Sequence, residues 1–85
     1  MKKDEVKQFL LSTGKYNQDN HGNLKSIDGT IRFKFNPIAL RYERKVNGYT
    51  SEFGYKYPAR WVRIVSGYYK DLYITENNKI GGLKR

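Results

Sequence analysis

The 85-residue chain contains no cysteine, two prolines, and only one residue each of histidine, methionine and tryptophan. Without cysteine it can form neither a disulfide nor a cysteine-ligated zinc site, so its stability must come from packing. No apolar run is long enough for a signal peptide or a membrane span, and we expect a cytoplasmic protein with no membrane partner. The Gly-rich phosphate loops of nucleotide-binding proteins are also missing, and we predict no cofactor.

Acidic residues are scarce as well. The 17 lysines and arginines outnumber the 8 aspartates and glutamates, which gives a formal charge of +9 at pH 7. A chain this basic favours polyanionic partners, either nucleic acid or an acidic protein surface. Aromatic residues make up 15% of the chain and favour strands. We expect a single compact domain over residues 1–85 that buries roughly 60% of its unfolded surface.

A short helix is predicted at residues 4–13. Val6, Phe9 and Leu10 recur at helical spacing, and Gly14 is placed to end the helix in the left-handed conformation. A helix of this length is marginal alone, so its apolar stripe should dock on a sheet. The polar residues 15–23 that follow are predicted to form a loop.

The strongest turn signal is Asn47-Gly48, which lies between two alternating segments within residues 38–57. This dipeptide favours a two-residue type I′ hairpin, because both turn positions need a positive φ. The predicted register buries one mostly aromatic face. Its pairs are Val46 with Tyr49, Arg44 with Ser51, Tyr42 with Phe53, Leu40 with Tyr55 and Ile38 with Tyr57.

Further strands are indicated on both sides of this hairpin. Residues 24–27 and 30–35 alternate around an Asp28-Gly29 turn, and Pro37 and Pro58 mark corners. After them, residues 60–65 are rich in strand formers. Two more features are predicted, a turn at Ser66-Gly67 in a loosely assigned register and a last turn at residues 76–79.

These elements predict an α+β fold, with a short N-terminal helix packed on a curved antiparallel β-sheet or a small β-barrel of five to six short strands. The hairpin region extends over about residues 24–83. The predicted core residues are Phe9, Leu10, Ile31, Phe33, Phe35, Leu40, Tyr42, Phe53 and Tyr55.

Residues that would support catalysis are few. His21 is best interpreted as an exposed loop residue. Glu43 and Glu52 would lie opposite each other on the predicted hairpin, but neighbouring cations would neutralise them in a salt-bridged ladder. We predict a non-enzymatic protein with no catalytic or metal-binding residues. Metal-independent ribonuclease toxins, which use Arg, Lys and Tyr, stay a minor alternative, although the longer helices that precede their sheet are missing.

The basic residues concentrate in one part of the chain, residues 32–63, which hold eight lysines and arginines and only two glutamates. Alternation would align several of them in a stripe that matches the regular charge of a phosphate backbone. Tyr68 and Tyr69 are candidates for stacking on bases, because two adjacent strand residues cannot both point into a core. The predicted nucleic-acid-binding residues are Arg32, Lys34, Arg41, Lys45, Lys56, Arg60, Arg63, Tyr68 and Tyr69.

We therefore expect a small basic protein that binds nucleic acid without catalysis and with little sequence specificity. An equally simple explanation of the charge is solubility and the protection of sheet edges. The alternative function is that of a phage or mobile-element protein that binds and inhibits a host protein, since Tyr and Arg also dominate protein interfaces. A continuous basic groove with outward aromatics would favour nucleic acid, and a flat apolar patch would favour a protein partner.

Overall fold

The computed structural model describes all 85 residues. It contains one α-helix, nine strands and a single 3₁₀ turn at Tyr69–Asp71. The helix, α1, comprises Lys3–Ser12. The strands are β1 (Tyr16–Gln18), β2 (Leu24–Ser26), β3 (Ile31–Phe35), β4 (Ala39–Val46), β5 (Tyr49–Thr50), β6 (Lys56–Tyr57), β7 (Arg60–Tyr68), β8 (Tyr73–Ile74) and β9 (Ile80–Gly81).

Five strands form the main sheet in the order β1-β2-β3-β4-β7, and every neighbouring pair is antiparallel. The sheet stays open and does not close into a barrel, so the predicted α+β fold is confirmed and the barrel alternative is not. β5 pairs with β6 and β8 with β9 in two small separate sheets. No helix in the chain has both the length and the apolar composition needed to cross a bilayer.

Helix α1 lies one residue earlier than predicted and is followed by Gly14 with a φ of +75°. No side chain caps its N-terminus, but Asp4 and Glu5 lie in the first turn, where their charges interact favourably with the helix dipole. Val6 and Leu10 are buried. The helix is therefore held mainly by packing, as expected for ten residues.

The core lies between α1, one face of the sheet and the segment after β7. Phe33 is at its centre, with the rings of Tyr16 and Tyr42 at centroid distances of 5.3 and 4.9 Å. The eight buried apolar residues are Val6, Leu10, Leu24, Phe33, Phe35, Leu40, Tyr69 and Leu72. Of the other predicted core residues, Phe9, Ile31 and Tyr42 are half-buried.

The core prediction is wrong for Phe53 and Tyr55, which are 80% and 67% exposed. It failed because the hairpin predicted at Asn47-Gly48 does not form. All eight residues of β4 pair with β7 instead of with the segment that follows the turn. A longer ladder with a strand farther along the chain therefore replaces the short local one.

Asn47 and Gly48 do not have the positive φ that a type I′ turn requires. The glycine is needed for space, because a Cβ at position 48 would lie 2.6 Å from the carbonyl oxygen of Tyr57. Residues 47–59, which we call the arm, leave the end of β4, form the small β5–β6 hairpin and return to the start of β7.

Two shorter predictions also need correction. β1 lies within the segment predicted to be a loop, because Tyr16 packs on the core and the backbone of β1 pairs with β2. Ser66 and Gly67 lie inside β7 and form no turn. The turns at Asp28-Gly29 and at residues 76–79 are confirmed, since they connect β2 to β3 and β8 to β9.

Candidate nucleic-acid interface

The face of the main sheet opposite α1 is lined mainly by basic side chains. Side chains alternate between the two faces along each strand, and directly paired residues share a face. We call this surface the basic face. Its cross-strand pairs are Lys25 with Arg32, Arg32 with Glu43, Lys34 with Arg41, Glu43 with Arg63, and Lys45 with Trp61. Glu43 is the only acidic residue among these six cations.

A bulge in β7 decides which of its side chains reach the basic face. Tyr42 pairs with Val65 but the next residue, Glu43, pairs with Arg63, so Ile64 is an extra residue in β7. Such a bulge reverses the alternation at that point. Val65 therefore lies on the core face, whereas Arg63 lies on the basic face.

Glu43 is the one buried charged residue of the protein, with 5% of its surface exposed. Its Oε1 accepts a hydrogen bond of 2.8 Å from Nε of Arg32, and its Oε2 lies 3.3 Å from Nε of Arg41. The two arginines come from neighbouring strands, β3 and β4. The carboxylate thus holds two cations of the basic face at fixed positions and partly neutralises them.

Trp61 extends from β7 across β4. Its ring lies 4.5 Å from the guanidinium carbon of Arg32 and 5.7 Å from Nζ of Lys25. Both distances are within the range of cation–π attraction. The indole therefore forms an aromatic surface beside two cations of the basic face.

The turn between β2 and β3 fixes the positions of Lys25 and Arg32 on adjacent strands. The carboxylate of Asp28 accepts hydrogen bonds from the Ser26 hydroxyl at 2.6 Å and from the backbone N–H of Thr30 at 3.0 Å. These bonds stabilise the charged carboxylate and lower the pKa of Asp28.

The loop before β2 is held in a similar way by Asp19. Although slight burial opposes the charge, the backbone N–H groups of Asn23 and His21 lower the pKa of this carboxyl. His21 itself is exposed, as interpreted from the sequence.

Two tyrosines belong to the core side, Tyr69, which is buried, and Tyr16, which is half-buried. Burial raises the pKa of Tyr69 to about 12, and its hydroxyl donates a 2.6 Å hydrogen bond to the carbonyl oxygen of Asn36. Burial, with a smaller contribution from Tyr42, also raises the pKa of Tyr16. Tyr69 is therefore the inward member of the adjacent tyrosine pair, and Tyr68 is the exposed one.

The structure brings together most of the predicted site residues but not all of them. Arg32, Lys34, Arg41, Lys45 and Arg63 share the basic face, as described above. Lys56 lies on the arm, Arg60 pairs with Val46 on the opposite face of β7, and Tyr68 lies at the far end of β7 with Nζ of Lys70 5.8 Å from its ring.

Two members of the basic face were not predicted from the sequence. The first is Lys25, which lies in a strand of only three residues, too short to show alternation. The second is Trp61, because the bulge at Ile64 hides which side of β7 is buried. The alternation of Lys25 with the buried Leu24 was the one signal that could have placed it outside.

An open groove of about 720 Å³ adjoins the basic face at the end of β7. Ser66 on β7 forms an isolated bridge with Lys84 through two 2.8 Å backbone hydrogen bonds. This bridge brings the basic residues Lys84 and Arg85 to the groove. Two further cations thus lie beyond the six of the basic face, together with the carboxylate of Asp71, which lines the same groove.

Glu43 and Glu52, which the predicted hairpin would have paired, lie in different environments. Glu43 is buried, whereas Glu52 is exposed on the arm. No three His, Cys, Asp or Glu side chains are grouped so that they could hold a metal ion.

No protein-family model matches this chain, and comparison with curated proteins and with solved structures found no similar protein.

Proposed function

We propose that this protein binds nucleic acid without catalysis, through contacts between phosphates and the basic face. The observation that supports this function is the presence of six cations and one tryptophan on a single sheet face, with only one carboxylate among them. Clustered cations gain affinity for nucleic acid when the counterions condensed on the phosphates are released. Phosphate contacts carry no sequence information, so we expect little sequence specificity.

The cations of the basic face fall into two groups. Arg32 and Arg41 are engaged by Glu43. The other four, Lys25, Lys34, Lys45 and Arg63, form no ion pair. If these four each neutralise one phosphate, the log–log salt dependence of duplex binding should have a slope of about −3.6.

The test is a salt series of binding to labelled duplex DNA, single-stranded DNA and RNA. The variant Lys34→Ala/Lys45→Ala removes two unpaired cations and should make the duplex slope shallower by about two units. The matched control is Lys15→Ala/Lys79→Ala, because both lysines line a groove on the α1 side of the sheet. This control loses the same charge and should keep the parent slope.

A protein that binds none of the three nucleic acids at moderate salt would refute the proposal. Equal slopes for the two double variants would also refute it, because net charge alone and not the basic face would then explain the binding. The inhibitor function would become the better proposal in the first case, and an acidic protein surface would be the partner to seek.

A further inference from the structure

The arm carries four aromatic side chains that the fold leaves in solvent. Phe53 at its tip is 80% exposed, and Tyr49, Tyr55 and Tyr57 are exposed as well. Every arm residue except Ser51 is exposed, so the arm stands away from the core. Large aromatics grouped on a protruding element are unusual in a small protein unless they contact a partner.

The arm is nevertheless an ordered structure. The rings of Tyr49 and Tyr57 stack across β5 and β6 with a centroid distance of 4.7 Å. Its turn is closed by hydrogen bonds from the backbone N–H of Ser51 to the carbonyl oxygen of Tyr55, at 2.8 Å, and from the N–H of Gly54 to the carbonyl oxygen of Ser51, at 3.0 Å. The aromatic rings are therefore presented from a preformed hairpin, which lowers the entropy lost on binding.

The charges at the base of the arm indicate what the arm contacts. Arg44 and Lys45 lie near the end of β4, Arg60 and Arg63 lie near the start of β7, and all four are exposed. Lys45 and Arg63 also belong to the basic face, which is therefore continuous with the arm. A ligand that covers both must combine flat apolar groups with regularly spaced negative charge. Nucleic acid with unpaired bases has both properties.

We infer that the arm stacks on unpaired bases of a single strand while the basic face holds the phosphates of the same strand. This inference rests on the proposed function and adds a preference for single-stranded nucleic acid over duplex. In a duplex the bases are already stacked on one another, so the arm has no free base face to contact.

The test compares the parent protein with Phe53→Ala/Tyr55→Ala on a single strand of thymidines and on a duplex of equal length. Base–aromatic stacking is strong enough that losing it should weaken single-strand binding by about tenfold or more, whereas duplex affinity and the salt slope should stay unchanged. The matched control is Ile27→Ala/Ile38→Ala, which removes two side chains that are 70% and 68% exposed outside the arm. All these side chains are exposed, so the variants should keep the thermal unfolding curve of the parent.

The outcomes distinguish a failure of the stacking inference from a failure of the proposed function. If the parent binds and Lys34→Ala/Lys45→Ala makes the slope shallower but the arm variant binds both nucleic acids like the parent, the stacking inference is overturned and the proposed function stands. Equal losses on single strand and duplex would also overturn it, since the arm would then not distinguish unpaired bases. If the parent sediments as a dimer and the arm variant as a monomer, a second copy of the chain covers the aromatics and the stacking inference is overturned. If the parent binds no nucleic acid, both proposals fail.

Discussion

Replacing Glu43 by glutamine should affect stability and nucleic-acid binding in opposite directions. Glu43→Gln keeps the size of the side chain but removes the charge that holds Arg32 and Arg41. A hydrogen bond to a charged group contributes about 1.5–3 kcal/mol to stability, and the burial of Glu43 limits its replacement by water. The side chain of Arg32 is 24% exposed, so solvent partly compensates, and the lower half of that range is expected.

The loss is measured by urea denaturation, with the fluorescence of Trp61 as the signal. This is the only tryptophan in the chain, and it lies 4.5 Å from the guanidinium carbon of Arg32. For a domain of this size, each kcal/mol lost at the midpoint lowers Tm by roughly 4–8 °C. The control is Glu52→Gln on the exposed arm, which should change the free energy of unfolding by no more than about 0.5 kcal/mol.

Binding should respond differently, because the substitution removes the negative charge from the basic face and frees two arginines. If both arginines then contact phosphates, affinity at low salt rises and the duplex salt slope steepens by up to about two units. A Glu43→Gln variant as stable as the control would refute the structural role of the carboxylate. Weaker binding by a folded Glu43→Gln variant would refute the idea that Glu43 restrains the charge of this face.

Two further predictions concern the core. Leu40→Ala should lower the free energy of unfolding by about 2–5 kcal/mol in urea titrations, because Leu40 is fully buried. The control Ile38→Ala, at an exposed site, should change it by less than about 0.5 kcal/mol. Similar losses for the two variants would contradict the placement of the core. Tyr69→Phe should cost about 1 kcal/mol at pH 7, since the hydrogen bond to Asn36 is lost. Because the pKa of Tyr69 is raised from 10.0 to about 12, the fold favours the neutral phenol, whose contribution to stability is complete below pH 10 and is lost as the pH rises through about 12. The parent should therefore lose stability more steeply than Tyr69→Phe between pH 10 and 12. Parallel plots of stability against pH for the two proteins would disprove the raised pKa.

Local patterns predicted the elements that depend on neighbouring residues. Gly14 ends α1, Asp28-Gly29 connects two paired strands, and β3 alternates with Phe33 and Phe35 buried, all as predicted. In each case the physical cause lies within a few residues of the feature. The cations of β3 and β4 were placed on one face for the same reason.

The features that sequence patterns missed depend on distant pairing. Asn47-Gly48 has the composition of a tight turn, but β4 gains a longer ladder from β7, which lies beyond the arm. The alternating sequence of residues 60–65 gives no sign of the bulge at Ile64. This bulge determines whether Trp61 faces the core or the cations. The predicted burial of Phe53 and Tyr55 followed from the hairpin register, in which they lay opposite Tyr42 and Leu40, and it failed because β4 pairs with β7 instead.

The separation of the arm from the core has an evolutionary consequence. Substitutions within residues 47–59 can alter what the protein contacts without loosening the packing around Phe33, because the arm is almost entirely exposed. Gly48 is an exception, since the close approach to Tyr57 leaves no room for a side chain. Selection for a new ligand and selection for a stable fold would therefore act on different parts of this chain, and the arm is where related chains should diverge fastest.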